Sequence, residues 1–216
     1  MSAKLAIASS MPAVTLGRHV SYWFRNSPRR ALHYLSYYKF AARMIGAHKR
    51  VLDLGCGEGL GTWILAAECG FARGVDLDEN AIAIAQSNWT GERAEFLCQD
   101  ALELVPEPWD AVTNFDFVEH ILPSHMDEYW SGLTNNLAPE GIAIIGTPNL
   151  TSQQYASPVS KLGHVNVYSG ERLEEELSRY FTHVFLFAAN DEVVHTGFSP
   201  MAHYLIAVGV KKRTNP

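Results

Sequence analysis

Val51-Leu52-Asp53-Leu54-Gly55-Cys56-Gly57-Glu58-Gly59-Leu60-Gly61 is the stretch that decides the fold. A short apolar run meets an acid, and glycine then occupies every second position from 55 to 61. That pattern is a strand entering a tight turn that opens a helix, the layout of nucleotide-binding turns in doubly wound α/β sheets. Glycine lets the backbone turn sharply and lets a ligand approach the main chain. The spacing excludes a dinucleotide fingerprint. A G-x-G-x-x-G series begun at Gly55 or Gly57 meets Leu60 or Thr62 where its last glycine should stand, and one begun at Gly59 meets Ile64. No Gly-Lys-Ser/Thr follows, so the turn is not a P-loop either. Asp53 adds a charge argument, because a carboxylate beside the turn repels a pyrophosphate and suits a ligand that carries positive charge.

Working outward, 216 residues argue for one domain with ample material for a core. Hydrophobic residues make up 47% of the chain and charged ones 19%, the balance of a globular rather than a disordered protein. A formal charge of −6 argues against a broad nucleic-acid surface, which needs clustered Lys and Arg. The modest basic groups are Arg25/Arg29/Arg30 and Lys211-Lys212-Arg213. The three cysteines, Cys56, Cys69 and Cys98, show no C-x-x-C spacing, so neither a disulfide framework nor a zinc site is expected. The four-residue apolar run at 5–8 is too short for a secretory leader, and no stretch approaches the roughly 20 apolar residues of a membrane span. The expectation is a cytoplasmic protein. Nothing in the sequence specifies an oligomeric state.

The hydrophobic pattern alternates between strand and helix periods. Residues 28–45 read as a helix opened by Pro28 with Ser27 as N-cap. Strands are expected at 50–54, 71–75, 94–98, 109–115 and 142–146, with helices at 62–68, 79–88 and 126–137 between them. A polar connection spans 147–169, long enough to be functional. A Ser169-capped helix over 171–179 and strands at 182–189 and 202–210 follow.

At Asp53-Leu54-Gly55-Cys56-Gly57-Glu58-Gly59 the chain resembles the class I S-adenosylmethionine-dependent methyltransferases, whose first motif reads acid-x-G-x-G-x-G. S-adenosylmethionine carries an ammonium and a sulfonium and no phosphate, in keeping with Asp53. The resemblance runs over roughly 48–210 and implies a doubly wound, Rossmann-like α/β fold: a seven-stranded sheet ending in an antiparallel strand pair. It divides the chain into a methyltransferase domain at 48–216 and an N-terminal helical extension or lid at 1–47. It also implies a cofactor site. Asp53, Gly55, Cys56, Gly57 and Gly59 would hold the methionine part, with Asp53 near its ammonium. Asp76, which lies 23 positions after Asp53, would accept the ribose hydroxyls, and Leu77 would pack on the adenine. Asp100 and Ala101 resemble the segment beside the adenine amino group. Phe115, with Asp116, resembles the segment that flanks the methionine part.

Methyl transfer needs a nucleophile aligned behind the methyl group and, for a hydroxyl, a group to take its proton. Of nine histidines, two fall where an acceptor should sit. His164 resembles the histidine of an H-x-x-x-[FY]-S arrangement that faces the cleft in small-molecule methyltransferases, and His120 follows the fourth strand. These are the catalytic candidates. For a metal, Asp116 and Glu119 are available but Asn149 is the nearest third ligand, and hard cations need more oxygens than two. The reading is therefore metal-free. It expects S-adenosylmethionine as cofactor and a small-molecule acceptor, with a sugar or glycan-precursor hydroxyl first. Two other readings fit the same residues: methylation of a small amine, and a non-catalytic S-adenosylmethionine-binding protein.

Overall fold

The computed structural model describes residues 13–214. The first dozen residues, including the apolar run at 5–8 and the start of the expected extension, lie outside the described residues. Within the described residues two helices come first, α1 (Arg18–Asn26) and α2 (Pro28–Ile45). The alternating part then runs β1 (Lys49–Leu54), α3 (Leu60–Cys69), β2 (Gly70–Asp76), α4 (Glu79–Trp89), β3 (Ala94–Cys98), β4 (Trp109–Phe115), α5 (Met126–Asn135) and β5 (Leu137–Pro148). The chain closes with α6 (Pro158–Gly163), α7 (Gly170–Tyr180), β6 (Phe181–Ala189), β7 (Val194–His195) and β8 (Tyr204–Lys212).

The strands form one sheet in the order β3-β2-β1-β4-β5-β8-β6-β7. The first five are parallel, and β8 lies antiparallel between β5 and β6. The order reverses between β1 and β4, the switch point at which open α/β sheets place their ligands. Both faces are covered. On β5, Ile144 packs toward Tyr38, Leu65 and Phe115, whereas its neighbours Ala143 and Ile145 pack toward Tyr129, Leu133 and Leu173. Alternate residues thus serve opposite helical layers, which is why the central strands read as unbroken apolar runs.

Three expectations need correction. The sheet has eight strands rather than seven, because residues 194–195 pair with Ala188 and Ala189 as a short outer edge. The fifth strand starts at Leu137, not 142. Leu137 pairs with Trp109 across a register shift, so the helix expected to reach 137 stops at Asn135 and residues 138–141 belong to the strand. The 147–169 connection is partly helical: Asn149 and Ser157 cap short turns over Leu150–Tyr155 and Pro158–Gly163. Ser169 caps α7 as expected, through Arg172 N–H at 3.3 Å. Ser27 precedes Pro28 of α2 but makes no side-chain cap bond. Among the described residues, no helix is long and apolar enough to cross a membrane.

Candidate active site

The glycine turn follows directly from β1. Gly55, Gly57 and Gly59 have φ of +74°, +52° and +79°, left-handed values that only glycine adopts at low cost. The N–H groups of Gly55 and Cys56 both donate to the Val75 carbonyl, at 2.8 and 3.0 Å, which pins the turn to the end of β2. A Cβ at Gly55 would strike the Phe117 ring at 2.5 Å, whereas one at Gly57 would meet nothing within 4 Å. Gly57 is therefore uncrowded where a side chain would stand. Gly59 forms the left-handed N-cap of α3.

Asp76 ties the turn to β2. Its Oδ2 accepts the Gly57 N–H at 2.8 Å, and its Oδ1 accepts the Asp78 N–H at 2.9 Å. Each oxygen keeps a second lone pair for a ligand hydroxyl. Asp53 lies elsewhere than expected. It is completely buried, with Oδ2 on the Thr62 hydroxyl at 2.6 Å and Oδ1 on the Thr113 hydroxyl at 2.7 Å. The carboxylate thus braces β1, β4 and the start of α3. Burial raises its pKa to about 6 despite these hydrogen bonds. The Cys56 side chain is also in the core, where burial pushes its thiol pKa up and keeps it unreactive.

A cleft of about 250 Å³ opens at the switch point, lined by Gly55, Asp76, Leu77, Gln99, Ala101, Asp116, Phe117 and His120. Of the residues expected to hold the cofactor, Gly55, Asp76, Leu77 and Ala101 are on that wall, as is the catalytic candidate His120; Gly57 and Gly59 are not. Asp100 is not; its Oδ1 accepts the Leu102 N–H at 2.9 Å, and Gln99 takes the wall position. Phe115 is not either, because its ring is buried under α2 against Tyr38. The next two residues face the cleft instead.

A second cavity of about 660 Å³ lies beside the first, within the usual range for small-molecule sites. Helix α2 contributes Arg30, His33, Tyr34 and Tyr37; the 147–164 segment contributes Gln153, Tyr155, three serines and His164; and His203 and Tyr204 close the far side. Asp116 is on the walls of both cavities. Its φ of +52° is unusual for a side-chain-bearing residue. Its pKa is raised by burial and held back by the charge of Arg30. His33 bonds the Tyr37 hydroxyl through Nδ1 at 2.8 Å, and burial, then Arg30, depress its pKa to about 4.

Where the cavities meet stand Glu119, His120 and His164. The short helical turn Val118–His120 supplies the first two, and the residue after α6 supplies the third. One ligating atom from each lies within 4.8 Å of the others. The His120 and His164 rings meet edge to face, with centroids 5.2 Å apart. Both rings are oriented from behind. His120 Nδ1 donates to the Gly163 carbonyl and His164 Nδ1 donates to Gln153 Oε1, each at 2.9 Å. Each Nε2 is left with a lone pair. Burial lowers the His164 pKa, and it raises that of Glu119. Glu119 is fully buried, and its Oε2 accepts the Thr147 hydroxyl at 3.0 Å while Oε1 has no partner.

A family profile described as a methyltransferase domain matches residues 51–141, from the glycine turn into β5. A protein named "Probable S-adenosylmethionine-dependent methyltransferase" from Mycolicibacterium smegmatis is 30% identical over 135 residues, covering 60% of this chain and 46% of that protein. A ubiquinone biosynthesis O-methyltransferase of Pseudomonas savastanoi pv. phaseolicola is 31% identical over 108 residues, covering 46% of this chain and 47% of that protein. The chain thus spans about half the length of the curated relatives it matches. Among solved structures, a TehB-like S-adenosylmethionine-dependent methyltransferase from Corynebacterium glutamicum has TM-score 0.68 at 18% identity, covering 90% of this chain and 98% of that one. The N-methyltransferase NodS of Bradyrhizobium japonicum, solved with S-adenosylhomocysteine, has TM-score 0.66 at 18% identity, covering 88% of this chain and 91% of that one. At these identities the structural likeness establishes the fold. Residues 51–141 thus match a methyltransferase domain, on a fold shared with S-adenosylmethionine-dependent methyltransferases of known structure. The free lone pairs of Asp76 on the cleft wall suit a ligand that carries ribose hydroxyls.

Proposed function

We propose that this protein transfers a methyl group from S-adenosylmethionine to a hydroxyl of a small molecule held in the 660 Å³ cavity. The observation that carries this reading is that Asp116 belongs to the walls of both cavities, so a ligand in each would meet at the end of β4. Asp76, Leu77, Ala101 and the glycine turn would hold the cofactor, and Gln99 and Phe117 extend that wall. The sulfonium supplies an activated methyl group, so the chain's own work is alignment and proton removal. In the metal-free form, the acceptor's O–H proton passes to His164 as the new O–C bond forms and the S–C bond breaks. The support is His164's place on the cavity wall, the lone pair that Gln153 leaves on its Nε2, and a depressed pKa that keeps the imidazole neutral near pH 7.

The acceptor we favour is a sugar or glycan-precursor hydroxyl. Serine hydroxyls, the unpartnered Gln153 Nε2 and tyrosine rings share the wall, a mixture that suits a hydroxylated ring. Helix α2 acts as the lid of this cavity in our reading, since its Arg30, His33, Tyr34 and Tyr37 form one side of it.

The test is calorimetric titration with S-adenosylmethionine and S-adenosylhomocysteine, followed by a methyl-transfer screen over sugars, phenols and amines. Binding with turnover only on hydroxylated acceptors is expected. Turnover only on amines would move the acceptor atom to nitrogen. Binding with no turnover on any acceptor would favour a non-catalytic cofactor-binding protein. Absence of binding in folded protein would overturn the proposal.

A further inference from the structure

We infer that Glu119, His120 and His164 form a binding site for a divalent transition-metal ion at the junction of the two cavities. The sequence reading set a metal aside because its third ligand, sought at Asn149, was unconvincing. The Asn149 amide is spent on the carbonyls of Ser199 and Ala202, at 2.8 and 2.9 Å. The third ligand instead comes from His164, which α6 and the turn after it bring back against the end of β4.

Two independent observations point to an ion. The first is that buried Glu119 Oε1 has no hydrogen-bond partner, although the other oxygen of the same carboxyl is satisfied by Thr147. A buried polar atom left unpaired is costly and calls for a ligand. The second is that both imidazoles are held as metal-binding imidazoles are, with Nδ1–H on an oxygen acceptor and Nε2 free. The ligating atoms, within 4.8 Å of one another, need a small side-chain adjustment to reach the separation of about 3.3 Å that a tetrahedral zinc ion imposes. His120 is exposed, so the adjustment meets little resistance. Two nitrogens and one carboxylate oxygen select zinc, cobalt or manganese over magnesium or calcium, which prefer all-oxygen shells.

The position gives the ion a use, and this part rests on the methyltransferase reading. His120 borders the cofactor cleft and His164 the acceptor cavity. Three protein ligands leave a coordination position open for the acceptor oxygen. Coordination lowers the pKa of that hydroxyl, whose proton leaves to solvent. The oxygen then takes the methyl group, the O–C bond forming as the S–C bond breaks and the sulfur departs as a neutral thioether. With the ion bound, His164 is a ligand and not a base.

The full chain, dialysed against a chelator and then free of it, should be titrated with Zn2+ by calorimetry and with Co2+ by visible absorption. One equivalent should bind, and cobalt should give the intense bands of a four-coordinate site. His120→Ala and His164→Ala should each weaken binding at least 10-fold, and Gln153→Ala, which removes only the support behind His164, should weaken it less. Glu119→Gln should do as much as the histidine variants, but the exposed and half-buried histidines keep the test valid if that core variant fails to fold. No binding to wild type, or binding that both histidine variants leave unchanged, would overturn the inference. S-adenosylhomocysteine binding measured in parallel separates the two proposals. Cofactor binding without metal binding removes only the metal, and metal binding without cofactor binding removes only the methyltransferase reading.

Discussion

The backbone N–H of Asp116 donates to the Tyr204 phenol oxygen at 3.2 Å while also reaching the Gly146 carbonyl at 3.1 Å. One residue of the parallel half of the sheet is thereby held by a side chain from the antiparallel end. Tyr204 is itself fixed by Tyr37 of α2, whose ring stacks on it at 4.1 Å with only 5° between the planes. The left-handed backbone of Asp116, where the two cavities meet, is therefore set by three elements far apart in sequence.

Tyr204→Phe keeps that stack and deletes the hydroxyl. Stability should fall by about 0.5–1.5 kcal/mol, the usual worth of one hydrogen bond. Once an acceptor is known, kcat should fall several-fold while S-adenosylhomocysteine affinity barely changes. Equal kinetics for variant and wild type would show that Tyr204 does not position Asp116.

Asp76→Ala removes the acceptor of two backbone N–H groups and the expected ribose contact together. Hydrogen bonds to a charged group are worth about 1.5–3 kcal/mol, so S-adenosylhomocysteine should bind at least 10-fold more weakly. Calorimetry reads this directly. Affinity within twofold of wild type would remove Asp76 from the cofactor site.

Gly57→Ala and Gly61→Ala should fail in different ways. At Gly57 the new methyl group meets open space, but φ is +52°, so the fold loses about 1–2 kcal/mol and the cofactor loses its approach to the main chain. At Gly61 a Cβ would fall 2.0 Å from the Tyr38 ring, so α2 must shift and overpacking costs about 1–3 kcal/mol. Thermal melts paired with cofactor titrations should show weak binding in a folded Gly57 variant, and lost stability as the main defect at Gly61.

Two buried groups oppose each other in the pH dependence of stability. The folded pKa of Asp53, about 6, lies above its ordinary 3.8. Its protonated form therefore stabilises the fold at low pH, and that contribution is lost as pH rises from about 4 to 6. The magnitude is about 2–3 kcal/mol. His33 has a folded pKa of about 4, below its ordinary 6.5, so its contribution is present above 6.5 and lost as pH falls toward 4. Between pH 4 and 6 the two trends partly cancel. Denaturant unfolding across this range should show a stability–pH slope more positive than that of wild type for Asp53→Asn and more negative for His33→Gln. Parallel curves for all three proteins would sink both assignments.

The parallel part of the fold was legible in the chain because strand and helix periods there are local. The strands at 94–98 and 109–115 coincide with β3 and β4, and the glycine spacing located the left-handed turn between β1 and α3. The start of β5 was misplaced because Ala138-Pro139-Glu140-Gly141 reads as a turn, whereas its backbone is drawn into the sheet by the pairing of Leu137 with Trp109. The 194–195 edge was missed for the same reason: two residues carry no period, and only the neighbouring strand makes them extended.

The sequence by itself determined the glycine turn and the strand and helix on either side of it, because these depend on residue type and short spacing along one strand-turn-helix unit. It could not tell a ligand-facing acid from a bracing one. Asp53 and Asp76 end adjacent strands and look alike in sequence, yet two threonine hydroxyls enclose the first and the second faces the cleft. Only the tertiary structure decided that, and only it brought Glu119, His120 and His164 together. Side-chain burial and the meeting of residues 44 positions apart are set by how strands and connections pack in space, which no local pattern records.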